Sequence, residues 1–112
     1  MPYVKITSNT PIPAEKRDAL KARLGKDIEI LGKNEMWLMV DFCENSPLYF
    51  NGTNAPAAIA SVDLFGSAGA DAYNKFTAAV TDQIYKQLKI PPDRIFIKYA
   101  EYKHWGVNGE NF

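Results

Sequence analysis

The chain has 112 residues, 46% of them hydrophobic, and this size and composition fit one compact domain without room for a second core. Thirteen basic residues balance thirteen acidic ones, so the charge excess typical of proteins that bind nucleic acid or an anionic membrane is absent. We therefore expect small molecules or proteins as partners, with no nucleic acid and no membrane.

Cys43 is the only cysteine and His104 the only histidine, so an internal disulfide is excluded and no recognisable set of metal ligands remains. No segment approaches the roughly 20 apolar residues of a membrane span, and the N-terminus lacks the basic start and apolar run of a signal peptide. We expect a cytoplasmic protein, and any secretion would follow a leaderless route.

The first two residues, Met1 and Pro2, lead directly into the strand-like run Val4–Thr7. Removal of Met before a small residue would leave a secondary amine at the strand end. An α-amino group titrates at about 7.7 to 8.0, and burial or a nearby cation lowers that pKa towards the pH at which a general base works best. Pro2 is therefore a candidate general base, although a Met-Pro start without function is the commoner case.

The first half of the chain is typical of a strand, a helix and a second strand. The strand Val4–Ser8 precedes Pro13, which suits a first helical turn, and Gly32 fits a helix C-cap. Trp37–Val40 is the second predicted strand. The helix is indicated by apolar residues at helical spacing, namely Leu20, Leu24, Ile28 and Leu31.

The second half repeats this order. Val62–Gly66 and Ile95–Lys98 follow the two earlier strands at a common offset of 58 residues, and residues 91–93 (Pro-Pro-Asp) stop the intervening helix. We predict one domain over residues 1–112, with pseudo-repeat halves at about 2–45 and 57–102. The apolar stripe of the second helix is Tyr73, Phe76, Val80, Ile84 and Leu88.

Two strand-helix-strand units predict an α+β fold in which right-handed crossovers give parallel strand pairs and both helices lie on one face of a four-stranded sheet. The runs Trp37–Val40 and Ala57–Ala60 are apolar without alternation, which is typical of strands buried on both sides. A partner subunit would have to cover the second face. Ser46–Gly52 is predicted as a short edge strand and turn, and Trp105–Phe112 as an edge piece that reaches a neighbour.

Five segments in order resemble the macrophage migration inhibitory factor and D-dopachrome tautomerase family of the tautomerase superfamily: Pro2, Leu31–Lys33, Phe50–Pro56, Ile90–Ile97 and Trp105–Phe112. The resemblance implies a homotrimer with an active site at each subunit interface. It also implies a cofactor-independent keto-enol tautomerase that acts on phenylpyruvate-like or dopachrome-like carboxylates. The alternative is a cytokine-like protein that binds a receptor and whose tautomerase activity is weak or vestigial.

The same resemblance assigns roles to three residues. Pro2 matches the catalytic proline, and Lys33 matches a lysine that binds the substrate carboxylate and keeps the proline neutral by charge repulsion. A lysine after a helix C-cap is more often solvated and interacts only with the helix dipole. Phe65 matches a position whose backbone N–H points into the pocket, and its side chain could equally be core.

Other positions depart from the family pattern. Phe96 stands where many members have a tyrosine, and Lys98 where the mammalian proteins have asparagine. Lys98 either binds an acidic substrate or points to solvent from an alternating strand. Trp37 takes an aromatic position at the pocket mouth, while Ala57 and Ala60 replace the Cys-x-x-Cys of the mammalian proteins, so we expect no thiol-disulfide activity.

Overall fold

The computed structural model describes residues 1–112 and consists of one mixed four-stranded sheet with two helices packed on one face. This confirms the predicted α+β class. The elements are β1 (Pro2–Ser8), α1 (Ala14–Asp27), β2 (Met39–Cys43), β3 (Ala58–Phe65), α2 (Ala70–Leu88), β4 (Ile95–Tyr102) and a hairpin of β5 (Gly106–Val107) and β6 (Glu110–Asn111). Neither helix is long and apolar enough to cross a membrane.

The sheet has the order β2-β1-β3-β4, with β1 parallel to β2, β3 parallel to β4, and the central pair β1 and β3 antiparallel. Each element of the second half begins 56 residues after its counterpart, as the starts of β1 and β3, α1 and α2, and β2 and β4 show. The predicted offset of 58 is therefore too large by two residues. An error of two preserves the alternation of strand faces, and so the predicted inward-facing positions stay inward.

The core lies between the helices and the near face of the sheet. Along β1 and β3, every second side chain is buried and the residues between them are half-buried. The predicted helix stripes supply the other side of the core, except that Tyr73 and Leu88 are only partly buried. The fully buried members include Val4, Ile6, Leu20, Ile28, Val62, Leu64, Phe76 and Ile84.

The far face of the sheet has no cover within one chain. Tyr3 and Lys5 on β1 and Ser61 and Asp63 on β3 are half-buried there, and Lys98 on β4 is exposed. Of Ala57–Ala60, only Ile59 is not buried within one chain, and the cover expected from a partner subunit stays a prediction. This face also carries charged groups, so whatever covers it has to satisfy polar side chains as well as apolar ones.

The predicted strand at Trp37–Val40 begins two residues late. Residues Glu35–Trp37 form a 3₁₀ turn, and β2 starts at Met39. The chain has to cross from the helix layer to the sheet after Gly32, and the turn makes this crossing. Trp37 and Met39 consequently stay exposed, at 49% and 66% of their surface.

The predicted edge strand at Ser46–Gly52 is also wrong, because this segment forms only an isolated bridge between Phe50 and Thr53 around a tight turn. Two side chains bind the loop carbonyls instead. Arg94 donates to Phe50 O (3.1 Å), Ala55 O (3.0 Å) and Pro56 O (2.9 Å), and Asn9 Nδ2 donates to Ala55 O (2.9 Å). Phe50 O also accepts from Thr53 N, so Phe50 O and Ala55 O each accept two bonds and have no lone pair left for a neighbouring strand.

The C-terminal segment Trp105–Phe112 forms a separate hairpin rather than an extra strand of the main sheet. The Asn108-Gly109 turn adopts positive φ at both residues, which is the geometry preferred by two-residue hairpins. The hairpin folds back over the end of β3, where the rings of Phe65 and Phe112 lie 5.7 Å apart. Its contact with a neighbouring subunit stays a prediction.

Arg94→Lys should destabilise the fold by about 1 to 3 kcal/mol, because an ammonium cannot replace the planar fork that binds several carbonyls. Urea unfolding followed by circular dichroism measures the change. Arg17→Lys is the matched control, since Arg17 makes only a 3.7 Å surface ion pair with Glu44 and should cost less than about 0.5 kcal/mol. Equal effects of the two substitutions would show that the Arg94 fork does not hold the loop.

Candidate active site

A cleft of about 430 Å³ opens where β1 begins and β3 ends. Its floor contains Tyr3 and Asp63, which are cross-strand partners on the sheet face away from the helices. One wall is residues 36–39, from the connection into β2, and the other is residues 105–107, from the start of the C-terminal hairpin. Met1 and Pro2 complete the lining, so the predicted base and the predicted mouth residue Trp37 share one cavity.

Pro2 occupies the first position of β1 opposite Leu64, and its ring is fully buried. Proline suits this position because its missing N–H leaves no gap in the ladder at a strand start. In this chain Met1 is attached to Pro2, and the free amine belongs to Met1. Partial burial, and secondly the positive charge of Lys33, hold the pKa of that amine below its ordinary value of 8.0.

Lys33 follows Gly32, whose left-handed backbone (φ 73°) ends the preceding 3₁₀ helix. The turn directs the half-buried lysine side chain to the end of β3, where Nζ donates to Phe65 O at 3.0 Å. The ammonium therefore has a fixed position beside the N-terminal amine rather than a freely solvated one.

The backbone N–H and carbonyl of Phe65 bind Met1 and Lys33, respectively. Its N–H donates to Met1 O at 3.0 Å, while its carbonyl accepts from Lys33. Gly66 follows with φ 88°, which lets the chain turn away at once. The ring of Phe65 packs on Phe112, and neither Phe65 nor Lys33 lines the cleft, so Phe65 meets the N-terminal residue only through its backbone.

A tyrosine pair holds the loop after Phe65. The Tyr73 hydroxyl accepts from Ala68 N at 3.2 Å and donates to the Glu101 carboxylate. The Tyr99 hydroxyl donates to Tyr73 O at 3.0 Å, and the two rings lie 4.4 Å apart. Burial, followed by the bond to Glu101, raises the pKa of Tyr73, and burial raises that of Tyr99, so both stay protonated at neutral pH.

Phe96 and Lys98 do not reach this cleft within one chain. Phe96 lies opposite Ile59 on β3, which in turn lies opposite Thr7 on β1. Thr7 is five residues from Pro2, or roughly 17 Å along the strand. Lys98 lies opposite Ser61 and, through it, Lys5, which is three residues or roughly 10 Å from Pro2 along the strand. In both cases the side chain is also two strands away from β1 across the sheet. Only a second copy of the chain could bring these side chains to the cleft.

Phe96 instead belongs to an aromatic cluster at the other end of the sheet. Its ring packs edge-on against Phe50 at 4.9 Å, and the Arg94 guanidinium lies 5.2 Å from the Phe50 ring centre. More than half of the Phe96 surface is exposed, at 54%. An exposed aromatic side chain held firmly by its neighbours is suited to a contact with another molecule.

Sequence reasoning did not select Tyr3 and Asp63 on the cleft floor. Only the antiparallel register of β1 and β3 brings these residues together, and no local pattern reports that register. Strand alternation would have placed each of them on the far face of the sheet. No group of three or more His, Cys, Asp and Glu side chains in the chain is placed to hold a metal ion.

Comparison with known proteins relates the chain to one family. Residues 1–112 match the family model described as macrophage migration inhibitory factor (MIF). The chain is 25% identical to macrophage migration inhibitory factor of Mus musculus and 26% identical to a homolog from Trichuris trichiura, over its whole length and 99% and 100% of those proteins. Among solved structures, MIF2 of Leishmania major is 34% identical with a TM-score of 0.95, covering 100% of this chain and 97% of that one. A homologue from Prochlorococcus marinus is 28% identical with a TM-score of 0.88 and 98% coverage of both chains.

Lys33→Gln should raise the pKa of the N-terminal amine, because removal of a neighbouring positive charge favours the ammonium form. The pKa should remain below 8.0, since burial is the larger cause of its decrease. An NMR titration of the residue 1 resonances, on protein whose mass shows that Met1 is present, measures the change. Lys5→Gln is the control, because Lys5 lies on β1, the strand that follows the N-terminal amine. An equal pKa change in both variants would show that Lys33 is no closer to the amine than Lys5 is.

Proposed function

The chain belongs to the macrophage migration inhibitory factor family of the tautomerase superfamily, and we propose that it is a cofactor-independent keto-enol tautomerase of the phenylpyruvate or dopachrome type. In this proposal Met1 is removed and the amine of Pro2 is the general base. The observation that carries the proposal is the convergence of three groups at the start of β1: the N-terminal amine, the Lys33 ammonium and the Phe65 N–H.

These groups match the needs of proton transfer next to a carbonyl. A neutral Pro2 amine accepts a proton from the carbon beside the keto group, and the electron pair of that C–H bond moves to form the enolate. Donors already in place stabilise the negative charge that develops on oxygen, and here Phe65 N–H and Lys33 are the donors. Return of the proton to that oxygen gives the enol, so the reaction is an isomerisation without a cofactor.

Lys33 has a second effect in this proposal. Its positive charge disfavours protonation of the neighbouring amine, which keeps the base in its active form near neutral pH. Removal of Met1 would leave the free amine on Pro2, whose ring is buried while Met1 is attached. The burial that remains after this removal acts in the same direction as Lys33, because it also disfavours the ammonium.

A retained Met1 would block this chemistry in two ways. The Pro2 nitrogen would be an amide without basicity, and Met1 O would occupy the Phe65 N–H at 3.0 Å. The bound carbonyl also supports the use of this N–H, since it shows that an oxygen acceptor fits there. A substrate carboxylate or keto oxygen would take the place that Met1 O vacates.

The assembly we propose is a homotrimer. The order β2-β1-β3-β4 leaves β2 and β4 as different open edges, so a contact between them is head-to-tail, and in the proposed trimer the third copy closes it into a ring. The cleft lies on the β2 side, where Trp37 and Met39 line it, whereas Phe96 and Lys98 lie on β4. Joining these two edges would bring Phe96 and Lys98 of one copy to the cleft of the next.

The second candidate is a cytokine-like protein that binds a receptor and retains little catalysis. Phe96 favours it, because a residue without a hydroxyl can neither donate to the substrate nor influence the Pro2 amine. A hydrogen bond to a charged group is worth about 1.5 to 3 kcal/mol, so its loss alone reduces a rate by roughly ten- to hundredfold. Low turnover in a protein with a free Pro2 would support this candidate.

Pro2→Ala should remove most phenylpyruvate tautomerase activity from protein shown by intact mass to lack Met1. Activity of the unsubstituted protein should increase with pH as the Pro2 amine loses its proton, because only the neutral amine accepts one, and the charge of Lys33 should hold that pKa below the usual α-amino range of about 7.7 to 8.0. Pro13→Ala is the control, since Pro13 precedes α1 away from the cleft. Full activity in a preparation that retains Met1 would refute the mechanism.

Lys98→Ala should raise the KM for phenylpyruvate by roughly tenfold and leave its neutral methyl ester unaffected, because a charge-assisted hydrogen bond to the carboxylate is lost. Steady-state kinetics measure the contrast, and light scattering should show a trimer for both proteins. Lys75→Ala is the control, since Lys75 is exposed on α2. Equal effects on acid and ester would argue against a carboxylate contact, and a monomer mass would remove the shared cleft.

A further inference from the structure

Asp63 is the one charged side chain among the residues that line the cleft. The remainder of the lining is mainly apolar, with Met36, Trp37 and Met39 on one wall and Trp105 on the other. A carboxylate beside apolar side chains attracts a bound cation, and the attraction strengthens when the ligand displaces water from the cleft. The floor of the cleft therefore attracts positive charge, whereas its apolar walls carry no charge.

The Asp63 carboxylate makes no hydrogen bond or ion pair within one chain, and it shares an adjoining cavity with Lys98. Its cross-strand partner Tyr3 donates its hydroxyl to Asp41 at 2.6 Å, and the ion pairs of the chain involve other carboxylates. The bond to Asp41, burial, and the charges of Asp41 and Asp63 raise the pKa of Tyr3. Tyr3 thus stays a neutral aromatic neighbour of the Asp63 carboxylate.

Asp63 also lies at a useful distance from the candidate catalytic groups. It precedes Phe65 by two residues on β3, so the two positions share a sheet face and lie roughly 7 Å apart. A keto acid whose carboxyl end is bound by Phe65 N–H, Lys33 and, in the proposed trimer, Lys98 of the neighbouring copy would extend its tail between the apolar walls. The group at the end of an aromatic tail would then reach Asp63.

We propose that Asp63 is a specificity-determining residue that selects keto acids by the charge at the end of the tail. The favoured substrate is an aromatic keto acid whose tail ends in a cationic group, with neutral tails next and anionic tails rejected. This inference rests on the proposed tautomerase function for the orientation of the substrate. The aromatic faces of Trp37, Trp105 and Tyr3 favour a cation in addition to Asp63, while a second carboxylate would meet like charge without a partner.

Three para-substituted phenylpyruvates test the proposal with Met1-free protein. The trimethylammonio and tert-butyl compounds have the same shape and differ in charge, and the carboxy compound supplies the anion. We expect kcat/KM to fall in the order trimethylammonio, tert-butyl, carboxy. Asp63→Asn should reduce the ratio of the first two by roughly three- to tenfold, as for a partly exposed charge pair.

Asp41→Asn is the matched control, because it removes a negative charge from the same sheet face outside the cleft and still accepts the Tyr3 hydroxyl. It should leave the ratio unchanged. Equal kcat/KM values for the two isosteric compounds in the unsubstituted protein would overturn the proposal without any variant. So would a ratio that Asp63→Asn does not alter.

The proposed function can fail separately. If no keto acid is turned over by protein with a free Pro2, the tautomerase assignment fails, and binding of phenyltrimethylammonium then tests Asp63 alone. Quenching of tryptophan fluorescence reports this binding through Trp37 and Trp105. Binding that weakens by roughly three- to tenfold in Asp63→Asn would retain the charge selectivity, and binding equal in both proteins would overturn it.

Discussion

The antiparallel pairing of β1 with β3 is the constraint on which the candidate site depends. It places the first residues of the chain beside the last residues of β3, so that Pro2 faces Leu64 and Met1 O meets Phe65 N–H. The same pairing makes neighbours of Tyr3 and Asp63. A slip of one residue would turn the buried side chains of β1 to the uncovered face and move Tyr3 into the core. The hydrophobic core therefore fixes the register, and the register fixes the geometry of the cleft.

Two groups of opposite charge lie near the end of β3, and only Asp63 lines the cleft. Lys33 lies at the end of β3, where it donates to Phe65 O and disfavours protonation of the N-terminal amine. Asp63 precedes Phe65 by two residues on β3. A carboxylate beside the N-terminal amine would raise the pKa of that amine, yet burial and Lys33 are the two causes of its shift, and both lower it. Asp63 lines the cleft and Lys33 does not, so the acidic and basic groups stay apart along β3.

The elements that sequence predicted well are those whose signal is local or follows from a rule of connection. The stripes of α1 and α2 follow from helical spacing, and the parallel pairs follow from the crossover rule. The offset of 58 in place of 56 shows the limit of this approach, because apolar strands align equally well when shifted by two residues. The prediction of an edge strand around Phe50 was wrong for another reason. Carbonyls of this loop are bound by Arg94, about 40 residues later in the chain, and no local sequence pattern indicates such a contact.

The candidate site was harder to predict because its residues are identified by three different kinds of information: the family resemblance, the strand register and the contact with a second copy of the chain. Pro2, Lys33 and Phe65 were selected from the family resemblance, whereas Tyr3 and Asp63 become neighbours only through strand register. Phe96 and Lys98 remain remote from Pro2 in a single chain, since no alternative packing of one sheet can bring β4 across β3 and β1. If Phe96 and Lys98 contact the substrate, the chemistry depends both on a Pro2 amine freed by removal of Met1 and on a neighbouring subunit. Processing and assembly would then control a reaction whose groups are all encoded in one short chain.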